Sequence, residues 1–440
     1  MARRGDARAN LAVARVLPPI IIGIIAYICY DITKQVGMAP WVVDYLIHPS
    51  GRYRRRPRVG SGIAIIVIFY VLLIFFLSTY LRLWQKVNLD PGYLPRGAQW
   101  IQKQEEAGRT SRRHRRRYGR KHSRTSREGA EKTDQPEVDL ESRLDYNAPG
   151  KAFPLDTAGL ESFYTKDIFI CQDDGRPPYC SKCFQFKTDR AHHCREVDRC
   201  VRKMDHFCPW VGGVVSETSF KFFIQFVFYT ALLCIFVLIV FVVFTAELRR
   251  EAHRVNAHWI VGIALSALFG IFSFAMTVSS LQLAMKNLTT IENINHRSKV
   301  WTIAIRIPDS LVPQTNPGMP LALPYQTITY PQPDMSPPSL ESEGFQRPTT
   351  GERHVFAILR TQPGENPFDL GSMVENLQQI LGHSIADWFL PFKQSPCADH
   401  SGSQGAFAFG PVVTRLKRES GLEPRTAGSL NRSSNDQRTV

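Results

Sequence analysis

Residues 59–81 read VGSGIAIIVIFYVLLIFFLSTYL and contain no charged side chain. The hydrocarbon core of a bilayer is about 30 Å thick, and about 20 apolar residues in a helix are enough to cross it. Two further charge-free stretches, 222–246 and 255–285, are also long enough. The sequence therefore predicts three membrane-spanning helices.

A fourth span is predicted near the start of the chain, although its uncharged stretch, 16–30, is shorter. This stretch reaches the length of a span if the helix begins near Leu11, or if Arg15 extends its charged end to the interface. A cleaved signal peptide is the alternative interpretation. However, Asp31 and Lys34 follow the stretch where a small-residue cleavage site is expected.

The net charge of +15 comes largely from one basic run. Ten of the nineteen residues in 109–127 are Arg or Lys, and Tyr118 is the aromatic residue among them. Base stacking therefore has little support, and no nucleic-acid partner is predicted. The preferred interpretation is a solvated linker, for which anionic lipid headgroups are the nearest polyanion.

Six of the nine cysteines fall between Cys171 and Cys208. Clustered C-x-x-C thiols stay reduced in the cytosol, which places this loop on the cytosolic side. Two pairs in the loop form a Cys₃His ligand set that structural zinc prefers: Cys180 with Cys183, and His193 with Cys200. A redox dithiol is the alternative, but it needs a thioredoxin-like strand and helix that the sequence does not show.

Cys208 stands outside this ligand set and follows Asp205 and His206. A nucleophilic thiol needs a neighbouring base, and a carboxylate can hold that base in the right tautomer. The chemical interpretation is therefore an activated cysteine. The structural interpretation is that Asp205 and His206 cap a helix and that Cys208 is buried filler, and the residues alone leave both open.

Four motifs together resemble a known family. The runs Y-C-S-K-C, R-A-H-H-C and R-C-V-R-K-M-D-H-F-C-P-W, within 179–210, are similar to the cysteine-rich domain of the DHHC-type protein S-palmitoyltransferases. The similarity is to a fungal subgroup with an aromatic residue at the third signature position. The other motifs are D-P-G at 90–92, T-T-I-E at 289–292, and N-P-F-D-L-G at 366–371 followed by Asn376 and Gly382.

The resemblance implies a two-step acyl transfer. Cys208 would attack the thioester of palmitoyl-CoA, with His206 as base and Asp205 as its orienter. The acyl group would then pass to cytosolic cysteines of membrane-associated protein substrates. Three cations are candidate contacts for the phosphates of coenzyme A: Arg195, Arg202 and Lys203. The competing hypothesis is a catalytically inactive zinc-ribbon scaffold in the membrane.

The sequence departs from the family pattern at three ligand positions of a second zinc. Val197, Phe207 and Val214 stand there, and Cys194 alone remains. We therefore predict one structural zinc, held by the Cys₃His set, and an apolar cluster in place of the second metal.

The predicted fold is an all-α polytopic membrane protein with four transmembrane helices and a small zinc-ribbon-like, cysteine-rich cytosolic domain. Its active site is predicted to face the cytosol. The predicted partners are palmitoyl-CoA, protein substrates and the lipid bilayer. In chain order, the predicted segments are a cytosolic N-terminus (1–10), transmembrane 1 (11–35), a lumenal loop (36–59), transmembrane 2 (60–83), a cytosolic linker (84–178), the cysteine-rich catalytic domain (179–221), transmembrane 3 (222–246), a second lumenal loop (247–258), transmembrane 4 (259–285), the T-T-x-E region (286–306), a Pro-rich linker (307–350), a docking segment (351–397) that contains the apolar residues 388–392, and a disordered tail (398–440).

Overall fold

The computed structural model describes residues 4–33, 58–107, 159–311, 324–331 and 353–423. Within these ranges, four helices are long and apolar enough to cross a membrane. They are α1 Arg4–Thr33, α2 Val59–Leu89, α3 Phe220–Ala252 and α4 Ala257–Met285. The structure thus has the four candidate spans that the sequence predicts. The basic run 109–127 and the loop before Arg58 lie outside the described residues.

Shorter elements follow or separate the spans. The remaining labelled helices are α5 Thr290–Ile294, α6 Met373–Leu381, α7 Ile385–Phe389 and α8 Pro411–Glu419. The strands are β1 Ile168–Cys171, β2 Tyr179–Cys180, β3 Gln185–Phe186, β4 His192–Cys194, β5 Arg199–Val201, β6 His206–Cys208, β7 Gly213–Val215, β8 Thr302–Arg306, β9 Gln326–Tyr330 and β10 His354–Arg360.

The first of two compact units contains the four spans, the segment from β4 to α5, and Gly371–Asp399. Helix α3 packs against both α2 and α4, and Phe222 and Phe241 on α3 are fully buried. Gly262 allows α4 to approach closely, because a methyl group there would clash with the ring of Phe241. The outward faces of the spans stay apolar and exposed, for example at Ile239 and Ile271, as expected for helices surrounded by lipid.

The second unit contains an antiparallel four-stranded sheet in the order β1-β8-β10-β9. The central strand β8 is buried on both faces: Ile303 and Ile305 join one apolar cluster, and Ala304 joins another. This alternation follows from the two-residue period of a strand. Phe356 of β10 and Phe169 of β1 pack edge to face beside Ala304.

The sheet corrects three expectations. The fold is not purely all-α. The sequence does not predict the strands, because short apolar runs such as 168–171 show no periodicity that distinguishes a strand from a loop. The predicted Pro-rich linker contains the strand β9, which pairs with β10. The predicted disordered tail contains α8, whose Val413 and Leu416 pack into the cluster of Ile303 and Ile305. Strand β10 contains the apolar run 355–359 of the predicted docking segment.

Candidate active site

Strand β6 carries the two central side chains of the site. It pairs with β7, and Cys208 lies opposite Gly213. Successive residues of a strand point to opposite faces, so His206 and Cys208 share one face and Phe207 takes the other. A 3₁₀ turn follows Cys208, and Gly212 closes it with a φ of 82°, a conformation that favours glycine.

Asp205, His206 and Cys208 are neighbours at the start of the β6–β7 hairpin. The Nδ1 of His206 lies 2.6 Å from Oδ2 of Asp205, and His206 and Cys208 lie on the same face of β6. Asp205 is buried, and Thr290 holds its carboxylate. The Thr290 backbone N–H donates to Oδ1 at 2.9 Å, and its hydroxyl donates to Oδ2 at 2.9 Å. The T-T-I-E motif therefore contacts the carboxylate of Asp205 directly.

The surroundings of His206 shift its proton affinity. Burial disfavours the charged imidazole, but the hydrogen bonds and charges of Asp205 and Cys208 outweigh burial and raise the pKa of His206 to about 10. Because Cys208 contributes to this shift, the raised pKa of His206 describes an imidazole that keeps a proton taken from the thiol, as an imidazolium beside the Cys208 sulfur. The geometry therefore allows His206 to take the thiol proton of Cys208.

This pKa shift predicts how pH changes stability. An imidazole has a pKa near 6.5 in an unfolded chain, whereas the pKa of His206 in the folded protein is about 10. The interactions of His206 with Asp205 and Cys208 therefore stabilise the folded protein fully below pH 6.5. The stabilisation is lost as pH rises through about 10. We expect the thermal midpoint of detergent-purified protein to fall more steeply over this range in wild type than in Asp205→Asn. Parallel curves for the two proteins would contradict the assignment.

The D-P-G motif supports the segment that carries the site. The hydroxyls of Ser216 and Thr218 donate to the carbonyls of Pro91 at 3.0 Å and Asp90 at 2.6 Å. The carbonyl of Gly92 accepts from the backbone N–H of Arg202 at 3.0 Å. The end of α2 is thereby fixed to the cysteine-rich segment.

An apolar cavity of about 140 Å³ opens beside Cys208. All four spans line it with side chains such as Ile25, Phe76, Phe226 and Met276. Cys208 and Trp210 belong to the same lining. The thiol therefore meets a space suited to a hydrocarbon chain.

The predicted metal ligands come together. One ligand atom each from Cys180, Cys183, His193 and Cys200 lies within 4.8 Å of the others. The three cysteines are buried, and His193 pairs with Cys200 across the β4–β5 hairpin. Three sulfurs and one imidazole are the donors of a closed structural zinc site, so this set fits zinc.

Comparison with known proteins places the chain in a family. The sequence profile of the DHHC palmitoyltransferase matches residues 174–297. Palmitoyltransferase pfa5 of Aspergillus fumigatus is 60% identical over 428 residues, which cover 97% of this chain and 94% of that protein. The chain belongs to the DHHC palmitoyltransferase family.

Other family members show the same similarity at greater distance. Palmitoyltransferase pfa5 of Emericella nidulans is 52% identical over 451 residues, covering 98% of this chain and 90% of that protein. Palmitoyltransferase PFA3 of Saccharomyces cerevisiae is 30% identical over 248 residues, covering 53% of this chain and 58% of that protein.

The departures from the DHHC family pattern meet in one place. Cys194, Val201, Met204 and Val214 form a buried apolar cluster. Packed against it are Tyr93, Val197, Phe207 and Ile291. Val197, Phe207 and Val214, where the family resemblance led us to expect ligands of a second zinc, therefore all belong to or pack against one apolar cluster.

The three candidate coenzyme A contacts have different surroundings. Arg195 is exposed and pairs with Glu196 at 3.1 Å. Arg202 is partly exposed and lies 3.9 Å from Glu217. Lys203 is buried, and its Nζ lies 3.4 Å from Oδ1 of Asn287. Arg195 and Arg202 are therefore accessible to a ligand, whereas Lys203 has a structural contact.

The C-terminal segment that contains α6 packs against the membrane-spanning helices. Asn376 donates from Nδ2 to the carbonyl of Met285 at 2.9 Å, at the end of α4. Ile380 and Leu381 of α6 join the apolar core of the spans. Gly382 has a φ of 112°, and its carbonyl accepts from the Trp388 indole at 2.8 Å.

Three residues that position the site were not singled out from the sequence. Ser216 and Thr218 belong to S-E-T-S, 216–219, a run of polar residues that is typical of a helix start. That signature could have identified them. Asn287 gives no local signal, because its partner Lys203 is distant in the sequence.

Proposed function

We propose that this protein S-palmitoyltransferase forms its acyl-enzyme on Cys208. The observation that carries the proposal is a thiol on the same strand face as an imidazole whose Nδ1 pairs with a buried carboxylate, beside an apolar cavity. His206 is the base, and Asp205 is its orienter. Thr290 fixes Asp205 through two hydrogen bonds and is a positioning residue.

The proposed chemistry has two transfers through one thioester. His206 takes the Cys208 proton, and the sulfur attacks the thioester carbonyl of palmitoyl-CoA. The carbon–sulfur bond to coenzyme A breaks, and its thiolate leaves with the proton from His206. In the second transfer, the thiol of a protein substrate gives its proton to His206 and attacks the acyl-Cys208 carbonyl. Cys208 then leaves and recovers its proton.

The cavity supplies the place for the acyl chain. Its lining is apolar and comes from all four spans, so a palmitoyl tail can lie among them while its carbonyl carbon stays at Cys208. Arg195 and Arg202 are the proposed contacts for the phosphates of coenzyme A. We place the active site at the cytosolic face, where the reduced cysteine cluster and substrate cysteines share one compartment.

The inactive-scaffold hypothesis rests on the change to Phe207. Phe207 packs in the apolar cluster, on the strand face opposite His206 and Cys208. The proposed proton path uses His206, so the aromatic residue leaves that path complete. This arrangement favours the enzyme over the scaffold.

Zinc has a structural role in the proposal. Cys180, Cys183, His193 and Cys200 would hold one ion, which would cross-link the hairpins that precede β6.

The proposal is tested with purified protein and radiolabelled palmitoyl-CoA. We expect label to be retained on the protein, to be released by hydroxylamine, and to move to an added cysteine-containing acceptor. Label that resists hydroxylamine, or no label at all, would exclude a thioester intermediate.

One zinc per chain is expected, because the second-site positions form an apolar cluster. Burial of Val214 alone contributes about 1.5–3 kcal/mol to that cluster. Elemental analysis should therefore give one zinc per chain. Phe207→His should not add a second, because Val197 and Val214 still offer no ligand. Two zinc ions per wild-type chain would overturn this ligand assignment.

Loss of the C-terminal segment is expected to lower activity. A chain ending before Gly351 lacks α6, and with it Asn376, Ile380 and Leu381, which hold the end of α4 and the core of the spans. The matched control ends after Glu423 and keeps every described element. Activity should fall in the short chain and persist in the control. Equal activity in both would show that docking has no functional role.

A further inference from the structure

Residues 387–392 have an unusual backbone environment. Six consecutive carbonyls lie within hydrogen-bond distance of donors on three side chains of the membrane spans. Nε2 of Gln225 lies 3.2, 3.0 and 3.3 Å from the carbonyls of residues 387, 388 and 390. The Tyr229 hydroxyl donates to residue 389 at 3.1 Å, and Arg82 donates to residues 391 and 392 at 3.2 and 3.1 Å.

The contacts on α3 lie within its charge-free stretch. The charge-free stretch of α3 begins after Lys221, and Phe228 lies about 10 Å further along the helix. The ring of Phe389 contacts that of Phe228 at a centroid distance of 6.1 Å. Along the axis of α3, Phe389 therefore lies at the height of the charge-free stretch and not before its first residue.

Phe389 also continues a lipid-facing surface. Phe228, Leu232, Ile235 and Ile239 follow the spacing of one helix face, and the last three are exposed. On the C-terminal segment, Phe389 is 46% exposed and Phe392 is 72% exposed. These side chains extend the apolar surface of the spans outward from α3.

Two charged residues flank the uncharged segment 388–392 and pair with each other. Asp387 precedes Phe389, Lys393 follows Phe392, and the two form an ion pair at 3.2 Å. The segment between them, 388–392, carries no charge. A backbone inside hydrocarbon has no water to satisfy its carbonyls, so it persists there only where protein donors replace water. Gln225, Tyr229 and Arg82 are such donors.

We propose that residues 388–392 insert into the bilayer beside α2 and α3, with Phe389 and Phe392 in contact with lipid acyl chains. The occupant of this apolar surface is the bilayer, because the surface is continuous with the lipid-facing side of α3. The inserted segment contacts the face of α3 that lies opposite Phe226 and Val227, two residues that line the cavity.

The test measures contact with lipid directly and does not depend on acyl transfer. Full-length Cys208→Ala is used so that no acyl-enzyme forms. Benzoylphenylalanine is introduced at position 389, 392, 394 or 239, one position per protein. Each protein is reconstituted into phosphatidylcholine vesicles with radiolabelled acyl chains and irradiated. We expect several-fold more lipid adduct at 389 and 392 than at 394, and a yield at 392 similar to that at the lipid-facing position 239.

Equal yields at 392 and 394 would overturn the proposal. Adducts that join two protein chains in place of lipid adducts would also overturn it, because the surface would then bind a second copy.

A second variant tests the donors. Gln225→Leu, combined with the photoreactive residue at 392, should lose most of the lipid adduct, whereas Tyr229→Phe should lose part of it. Thr245→Val lies on the same helix, far from the segment, and should keep the full yield. An undiminished adduct in Gln225→Leu would show that the segment does not need these hydrogen bonds to insert.

Discussion

Cys208→Ala is expected to abolish both self-acylation and transfer to a protein substrate. No other group on the shared face of β6 can form the thioester, since His206 acts only on the proton. The measurement is the hydroxylamine-labile label retained from palmitoyl-CoA, followed by label on an acceptor. The loss should reach the level of the reaction without enzyme.

Two controls separate chemistry from folding in this experiment. Cys208→Ser keeps the size of the side chain and should also fail to accumulate a thioester. Cys29→Ala removes a cysteine of α1 that does not line the cavity, and it should retain label. Retained activity in Cys208→Ala would remove Cys208 from the catalytic role.

His206→Ala is expected to slow acylation by about a hundredfold or more, which is the usual contribution of general-base catalysis. Without the imidazole, the thiol proton of Cys208 has no acceptor on the hairpin. The measurement is the single-turnover rate of acyl-enzyme formation with saturating palmitoyl-CoA. A rate within a few fold of wild type would show that the proton leaves by another route.

The same experiment separates Asp205 and Thr290 as positioning residues. Asp205→Asn removes the carboxylate that helps to raise the pKa of His206, so its rate should fall and its pH profile should shift toward lower pH. Thr290→Val removes one of two donors to Asp205 and should have a smaller effect, with Thr290→Ser restoring most of the rate. A uniform loss without any change in pH profile would indicate a purely structural role.

The structural features that the sequence predicts are local. A charge-free stretch such as 59–81 predicts a span because the bilayer imposes its length and its polarity. Asp205, His206 and Cys208 are near neighbours, and a two-residue strand period is enough to put His206 and Cys208 on one face. The four metal ligands likewise lie within a short segment whose hairpins bring them together.

The parts that the sequence did not predict depend on distant partners. Thr290 reaches Asp205 across 85 residues, and β8 reaches β1 across more than a hundred. Strand β9 lies among prolines, so its pairing with β10 is not apparent from composition. Helix α8 is ordered because Val413 and Leu416 find an apolar sheet face, which a polar tail gives no reason to expect.

The same distinction explains Lys203 and residues 388–392. In the sequence, Lys203 is one cation among several, but its backbone places it against Asn287 and away from solvent. The apolar residues 388–392 predicted docking. The donors that satisfy their carbonyls came only from the structure, because Arg82, Gln225 and Tyr229 lie on two different spans.

The central claim is that the acyl group passes through the sulfur of Cys208. Its most direct test is a single-turnover reaction of the wild-type protein with palmitoyl-CoA, quenched in acid, digested and mapped by mass spectrometry. We predict one palmitoyl thioester on the peptide that contains Cys208, formed before any acylated substrate and lost when substrate is added. A thioester on another cysteine that is consumed at the rate of product formation, with Cys208 unmodified throughout, would contradict the account.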